Sequence, residues 1–198
     1  MIFKQLSEKI EVKDVVFDEI FPPGIKAVAD RHWTPVAVAK MAAEYLTEKQ
    51  GQKVLDIGAG AGKFCLVGAA STKGFFYGVE QRKALTKMSR KIADRYNIMN
   101  VEFINSNINE ISFSDYDAFY FFNSFFENID TSNPIDNTIL PDSGLYQVYS
   151  DYVREQLDKT PVGTRLVTYW SKWDEIPTNF ELVDSAFNGF LSFWKKVS

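Results

Sequence analysis

Apolar and polar positions change their rhythm at about Lys53. From there, short and nearly continuous apolar runs alternate with longer segments whose apolar residues recur at helical spacing. The runs "KVLDI" (53–57), "FFYGV" (75–79), "VEFIN" (101–105), "YDAFYFF" (116–122) and "GTRLVTYW" (163–170) read as strands. Between them, "GKFCLVGAAST" (62–72), "QRKALTKMSRKIADRY" (81–96) and "LYQVYSDYVREQL" (145–157) read as helices. Strands with no polar face are buried on both sides, and helical crossovers between them make a parallel sheet. The end of the pattern differs. "FELVDSAF" (180–187) and "FLSFWKKV" (190–197) are separated only by Asn188 and Gly189, an Asn-Gly hairpin signal. The expectation is an α/β fold, a mostly parallel sheet flanked by helices and finished by an antiparallel hairpin.

Before Lys53 the signals are weaker. A helix is predicted near Ser7–Ile20, stopped by "FPPG" (21–24). A second follows in "TPVAVAKMAAEYLTEK" (34–49), with Thr34 suited to the N-cap, Pro35 to the first turn, and Val36, Val38, Met41, Ala42 and Leu46 on its apolar side. No repeat, low-complexity tract or linker divides the chain. It reads as one domain over 1–198, with a helical segment at 1–50 and the sheet-bearing core at 51–198.

The 198 residues suffice for one well-packed core, and 45% hydrophobic with 24% charged residues is a soluble balance. A formal charge of −4 gives no general attraction to polyanions, which disfavours nucleic acid or an acidic membrane as partner. The basic run of the 81–96 helix, Arg82 to Arg95, reads as a solvated face. No apolar run approaches the ~20 residues that span a bilayer. The charged start "MIFKQLSEKIEVKD" is no secretory leader, so a cytoplasmic setting is expected. The single cysteine, Cys65, reads as a buried inert thiol, and no Cys/His cluster offers a metal site.

The chemistry concentrates in "VLDIGAGAGKF" (54–64). A triphosphate loop needs Gly, four residues, Gly-Lys and a hydroxyl residue; here Ile57 and Phe64 occupy the first and last of those places. A dinucleotide loop needs glycine at its first, third and sixth positions, and from Gly58 and Gly60 the sixth is Lys63, a partial fit. The pattern acid-x-Gly-x-Gly-x-Gly is complete in Asp56, Gly58, Gly60 and Gly62. Glu80 ends the next strand, 18 residues after Gly62. A carboxylate there can accept hydrogen bonds from two vicinal ribose hydroxyls, or stand solvated as a cap on the next helix.

With these residues the chain resembles a class I S-adenosylmethionine-dependent methyltransferase, from about His32 to the terminal hairpin. The resemblance implies a Rossmann-like seven-stranded sheet and S-adenosyl-L-methionine as cofactor. It implies that the glycine loop holds the amino-acid end of that cofactor and that Asp56 helps to orient it. Asn107, after the third strand, stands where the family usually has an acid near the adenine amino group. Thr34 in "HWTP" resembles a segment that touches the methionine end in some members; a plain N-cap is the other reading.

The acceptor side follows the fourth strand, in "YFFNSFFEN" (120–128). Amine-methylating members often carry Asn or Asp, two prolines and an aromatic here. Asn123 and Phe126 keep the ends of that motif while Ser124 and Phe125 replace the prolines. The segment, like "HWTPVAVAKMA" (32–42), also resembles lysine-directed members. Asn123 is the expected catalytic residue, holding an amine through its carboxamide oxygen, with Phe125 and Phe126 walling the substrate site. Alternatively Asn123 caps the strand and the two Phe residues are core. Glu127, Asp130 and His32 are candidate bases, and the loop 129–143 is placed to act as a lid. The reading is a methyltransferase whose acceptor is a small molecule or a protein. A nicotinamide-dependent oxidoreductase and a catalytically silent scaffold are the alternatives.

Overall fold

The computed structural model describes residues 2–26, 32–129, 138–139, 141–171 and 175–198. Its strands are β1 (Lys53–Ile57), β2 (Phe75–Glu80), β3 (Val101–Asn105), β4 (Ala118–Phe122), β5 (Arg165–Tyr169), β6 (Phe180–Ala186) and β7 (Leu191–Lys196). They form one sheet in the order β3-β2-β1-β4-β5-β7-β6. The first five run parallel, and β7 is antiparallel to both β5 and β6. Strand order reverses between β1 and β4, the place where a crevice opens beyond the carboxyl ends of a parallel sheet.

Successive side chains of a strand face opposite sides. Val54, Ala118 and Tyr120 enter one core, with α4 (Val36–Leu46) and α5 (Lys63–Ser71). Leu55, Ile57, Phe119 and Phe121 enter the other, with α7 (Ser143–Asp158). Between β2 and β3 runs α6 (Lys83–Tyr96), which buries Leu85, Thr86, Ser89, Ile92 and Ala93. Lys83, Lys87, Lys91 and Arg95 lie exposed, the solvated face that the sequence suggests. Arg82 departs from that face and is buried. No helix among the described residues is long and apolar enough to cross a membrane.

The N-terminal part corrects the single helix expected near 7–20. Instead α1 (Ile2–Ser7) ends early and α2 (Asp14–Phe17) starts anew, continuing into a 3-10 turn at Asp18–Ile20, before α3 (Pro23–Lys26). Lys9 turns left-handed at φ 61°, with its amide on Leu6 O (3.1 Å) and that of Ile10 on Gln5 O (2.9 Å). Such a helix stop ordinarily uses glycine, so the lysine gave no warning of it. The terminal hairpin is also longer than its two-residue signal. Four residues, 187–190, join β6 to β7, with Phe187, Asn188 and Gly189 successively left-handed at φ 51°, 58° and 85°.

Candidate active site

A cavity of about 490 Å³ lies at the carboxyl ends of β1, β2 and β4. Thr34, Asp56, Gly58, Gly60, Glu80, Asn107, Asn123, Phe125 and Phe126 all border it. Of the expected site residues that are described, only Gly62 does not.

Gly58, the first residue after β1, has φ 76°, and a Cβ there would lie 2.5 Å from the Ser124 Cβ. The absent side chain lets the end of β4 close onto the loop, where the Ser124 hydroxyl donates to Ile57 O. At Gly60 the amide donates to Glu80 Oε2 (3.0 Å). Gly62 serves packing instead of the cleft. At φ 77° it begins α5, and a Cβ would overlap the Phe103 ring of β3. Expected as a cofactor contact, it is corrected to a helix–strand spacer.

Glu80 is buried, which excludes the solvated-cap reading. Its second oxygen accepts from the Arg82 amide (2.7 Å), so one carboxylate ties the β2 end to the glycine loop. Burial pushes its pKa up, against the opposing pull of that amide and the Arg82 cation. Each oxygen still has lone-pair capacity toward the cleft for a diol.

Asp56 is buried on the same face of the sheet as Tyr120, its register partner on β4. Its pKa is pushed up to about 7, chiefly by burial and further by Glu80, while the Cys65 thiol, donating to Oδ2 at 3.4 Å, works the other way. Cys65 is buried, and burial pushes its own pKa well up, as suits an unreactive thiol. A cationic ligand in the cleft would meet a carboxylate held ready to ionise.

Thr34 does not cap α4. Pro35 occupies the N-cap position and the Val36 amide donates to Asp14 Oδ1 (2.9 Å). The Thr34 hydroxyl shares a 2.8 Å hydrogen bond with the Tyr120 hydroxyl, inside the cleft wall. Asn107 donates through Nδ2 to the Tyr149 hydroxyl (2.7 Å), which turns its carboxamide toward α7. Asn123 stands just past β4 at φ 39°, and its amide meets Ser171 Oγ at 3.4 Å. Phe125 combines both readings: it borders the cleft and packs on Phe121 and Tyr149 in the core.

Several site residues escaped the sequence reading. Lys63, rejected as a triphosphate lysine, is buried and ion-paired to Asp14 and Asp18, both at 2.6 Å. Arg82 binds Glu127 at 2.7 Å, which occupies one of the candidate bases. Tyr120 and Trp170 also border the cavity. His32 borders it as well, whereas Asp130 and most of the expected lid at 129–143 lie outside the described residues.

With this geometry, the comparison with known families is direct: residues 48–157, more than half of the chain, match the family described as "Methyltransferase domain". This chain belongs to that family. It carries a class I, Rossmann-like methyltransferase domain, and S-adenosylmethionine is the cofactor that this membership implies. The left-handed glycine loop, the buried Glu80 and the ionisable Asp56 fit that ligand's flexible amino-acid end, diol and cation. The fold of the methyltransferase is similar to TrmN from Thermus thermophilus, at 17% identity and TM-score 0.60, over 87% of this chain and 52% of that one. The chain thus spans about half the length of TrmN. It is also similar to an RNA methyltransferase from Salinibacter ruber in complex with S-adenosyl-L-homocysteine, at 20% identity and TM-score 0.56, over 83% and 92%. A methyltransferase from Geobacter sulfurreducens is similar over 93% and 94%, at 12% identity and TM-score 0.61. At such identities the likeness concerns the fold. Among curated proteins, comparison by sequence found no match.

Proposed function

We propose that the methyltransferase transfers its methyl group to an amine nitrogen presented at Asn123, the amine belonging to a small molecule or a protein side chain. The observation carrying this reading is that Asn123 borders the same cavity as Glu80 and the glycine loop, at the end of the strand paired with β1. Bound S-adenosylmethionine supplies a methyl carbon activated by a sulfonium leaving group. The work left to the chain is positioning and exclusion of water. The Asn123 carboxamide oxygen accepts from an amine N–H and thereby sets the direction of the nitrogen lone pair. Phe125 and Phe126 supply apolar walls beside it. Glu80 and Asp56 hold the donor from the opposite side.

Transfer of a labelled methyl group into a panel of small amines and lysine-bearing peptides tests this. Asn123→Gly suits the comparison, because glycine accepts φ 39° while losing the carboxamide. The expected result is a fall in kcat of about 100-fold, with the donor KM within threefold. Full turnover by Asn123→Gly would remove Asn123 from the chemistry; label appearing only on oxygen or carbon would remove the amine.

A further inference from the structure

We propose that the acceptor is a small molecule bearing its amine on a flat, uncharged aromatic ring, and that this ring stacks on Trp170 at the cleft mouth; the inference rests on the methyl-transfer reading above. Trp170 directly follows β5 and borders the same cavity as Asn123. It is 52% exposed, whereas Trp33 and Trp194 are buried. A large indole left half in water at a cleft rim is a surface held for a ligand rather than for the core.

Its support is rigid. The indole lies parallel to Phe190, with centroids 3.8 Å apart and planes 12° apart. The Trp170 amide donates to Phe190 O at 2.9 Å. Tyr169 meets Trp170 edge-on at 6.5 Å and packs against Phe122 at 4.9 Å. Trp170 has φ 53°, a left-handed backbone that a bulky residue keeps only where its surroundings over-determine it. Asn123 shares that backbone region, one residue beyond the register pair Phe122–Tyr169. Ser171 joins the two strand ends, accepting from the Asn123 amide and donating to Phe121 O (3.3 Å). The amine holder and the aromatic shelf therefore sit on one frame.

Chemistry narrows the class. Glu127 apart, which is ion-paired with Arg82, the described residues that border the cleft from the ends of β4 and β5, among them Phe122, Asn123, Phe125, Tyr169 and Trp170, carry no charge. A phosphate or an ammonium would find no counter-charge among them, while a flat ring gains stacking on the indole. A lysine amine starts near pKa 10.4 and must first lose a proton. An aromatic amine is already neutral at pH 7, and Glu127, the nearest carboxylate in sequence, is committed to Arg82. The net charge of −4 opposes a base within a polynucleotide, which favours a free molecule as the source of the ring.

Calorimetric titration of the full chain, saturated with S-adenosylhomocysteine, tests the shelf with 3-aminoquinoline, cyclohexylamine and a short single-stranded oligoadenylate. The flat amine should bind the unaltered protein and Trp170→Phe within about threefold of each other, and Trp170→Leu about tenfold more weakly. Phe190→Ala, which removes the ring beneath the indole, should weaken it in the same direction. S-adenosylhomocysteine should bind all four proteins equally, which also reports their folding. Cyclohexylamine should bind at least tenfold more weakly than the flat amine. Absence of 3-aminoquinoline binding, equal binding to Trp170→Leu, or equal binding of cyclohexylamine would overturn the shelf. Tighter, salt-sensitive binding of oligoadenylate would overturn the small-molecule source. Failure of the unaltered protein to bind S-adenosylhomocysteine would strike the methyl-transfer reading itself, and this inference with it.

Discussion

A carboxyl group buried at a strand end, with a thiol for company, behaves unlike one in water. Burial moves the Asp56 pKa from 3.8 to about 7, so between those values the folded state binds a proton that the unfolded chain has released. Stability from this group is therefore present in full below the unfolded value and is lost as pH rises toward 7. Thermal unfolding of the ligand-free protein should accordingly show a downward slope between about pH 4 and 7, beyond that of its other groups, and Asp56→Asn should flatten it. The same substitution should weaken S-adenosylmethionine at least tenfold at pH 8, where the carboxylate is ionised, as equilibrium dialysis would show. Gly58→Ala should cost roughly 2 kcal/mol in denaturant unfolding, since it combines positive φ with a clash against Ser124. At this scale the sequence was informative about residue type and silent about direction. The spacing marked Asp56, Gly58, Gly60 and Glu80 for the cleft, and they border it. It could not tell that Gly62 faces Phe103, because a glycine that makes room for a ligand and one that makes room for a side chain look alike in sequence.

Among the elements, legibility followed the source of their stability. Strands β1 to β5 and helices α5 to α7 carry their own apolar pattern, and each lies within the segment predicted for it or extends it by at most two residues at either end. The N-terminal elements do not. The Asp14 carboxylate is shared between the Val36 amide and Lys63, so α2 is fixed by partners 22 and 49 residues away. No local signal records such partners. Lys63 itself is buried among Asp14, Asp18, Phe17 and Trp33. Lys63→Met should destabilise the protein by roughly 2–3 kcal/mol, because it leaves carboxylates beside an apolar wall without their cation. Asp18, whose pKa burial already pushes up against the pull of Lys63, would rise further. Limited proteolysis should then cut between α1 and α3 faster than in the unaltered chain. Unchanged protease resistance would show that α2 is held by its apolar contacts alone.

Over the whole molecule, the reversal of direction at β7 matters most. β7 lies between β5 and β6, and Phe193 and Trp194 contribute to the two cores on either face of the sheet. Deletion of the hairpin from Phe180 onward should leave β5 as a bare edge and the chain insoluble, measured as its share of the pellet on expression. The hairpin was legible as a pair of strands, yet its insertion order was not, since Asn188 and Gly189 report a turn and say nothing of the neighbour beyond it. That order also has a temporal side. Because β6 is synthesised before β7 but sits outside it, neither can dock finally on β5 until both have left the ribosome. The growing protein thus carries an unpaired β5 edge until β7 has emerged, and that late closure favours reliance on chaperones that shield such edges.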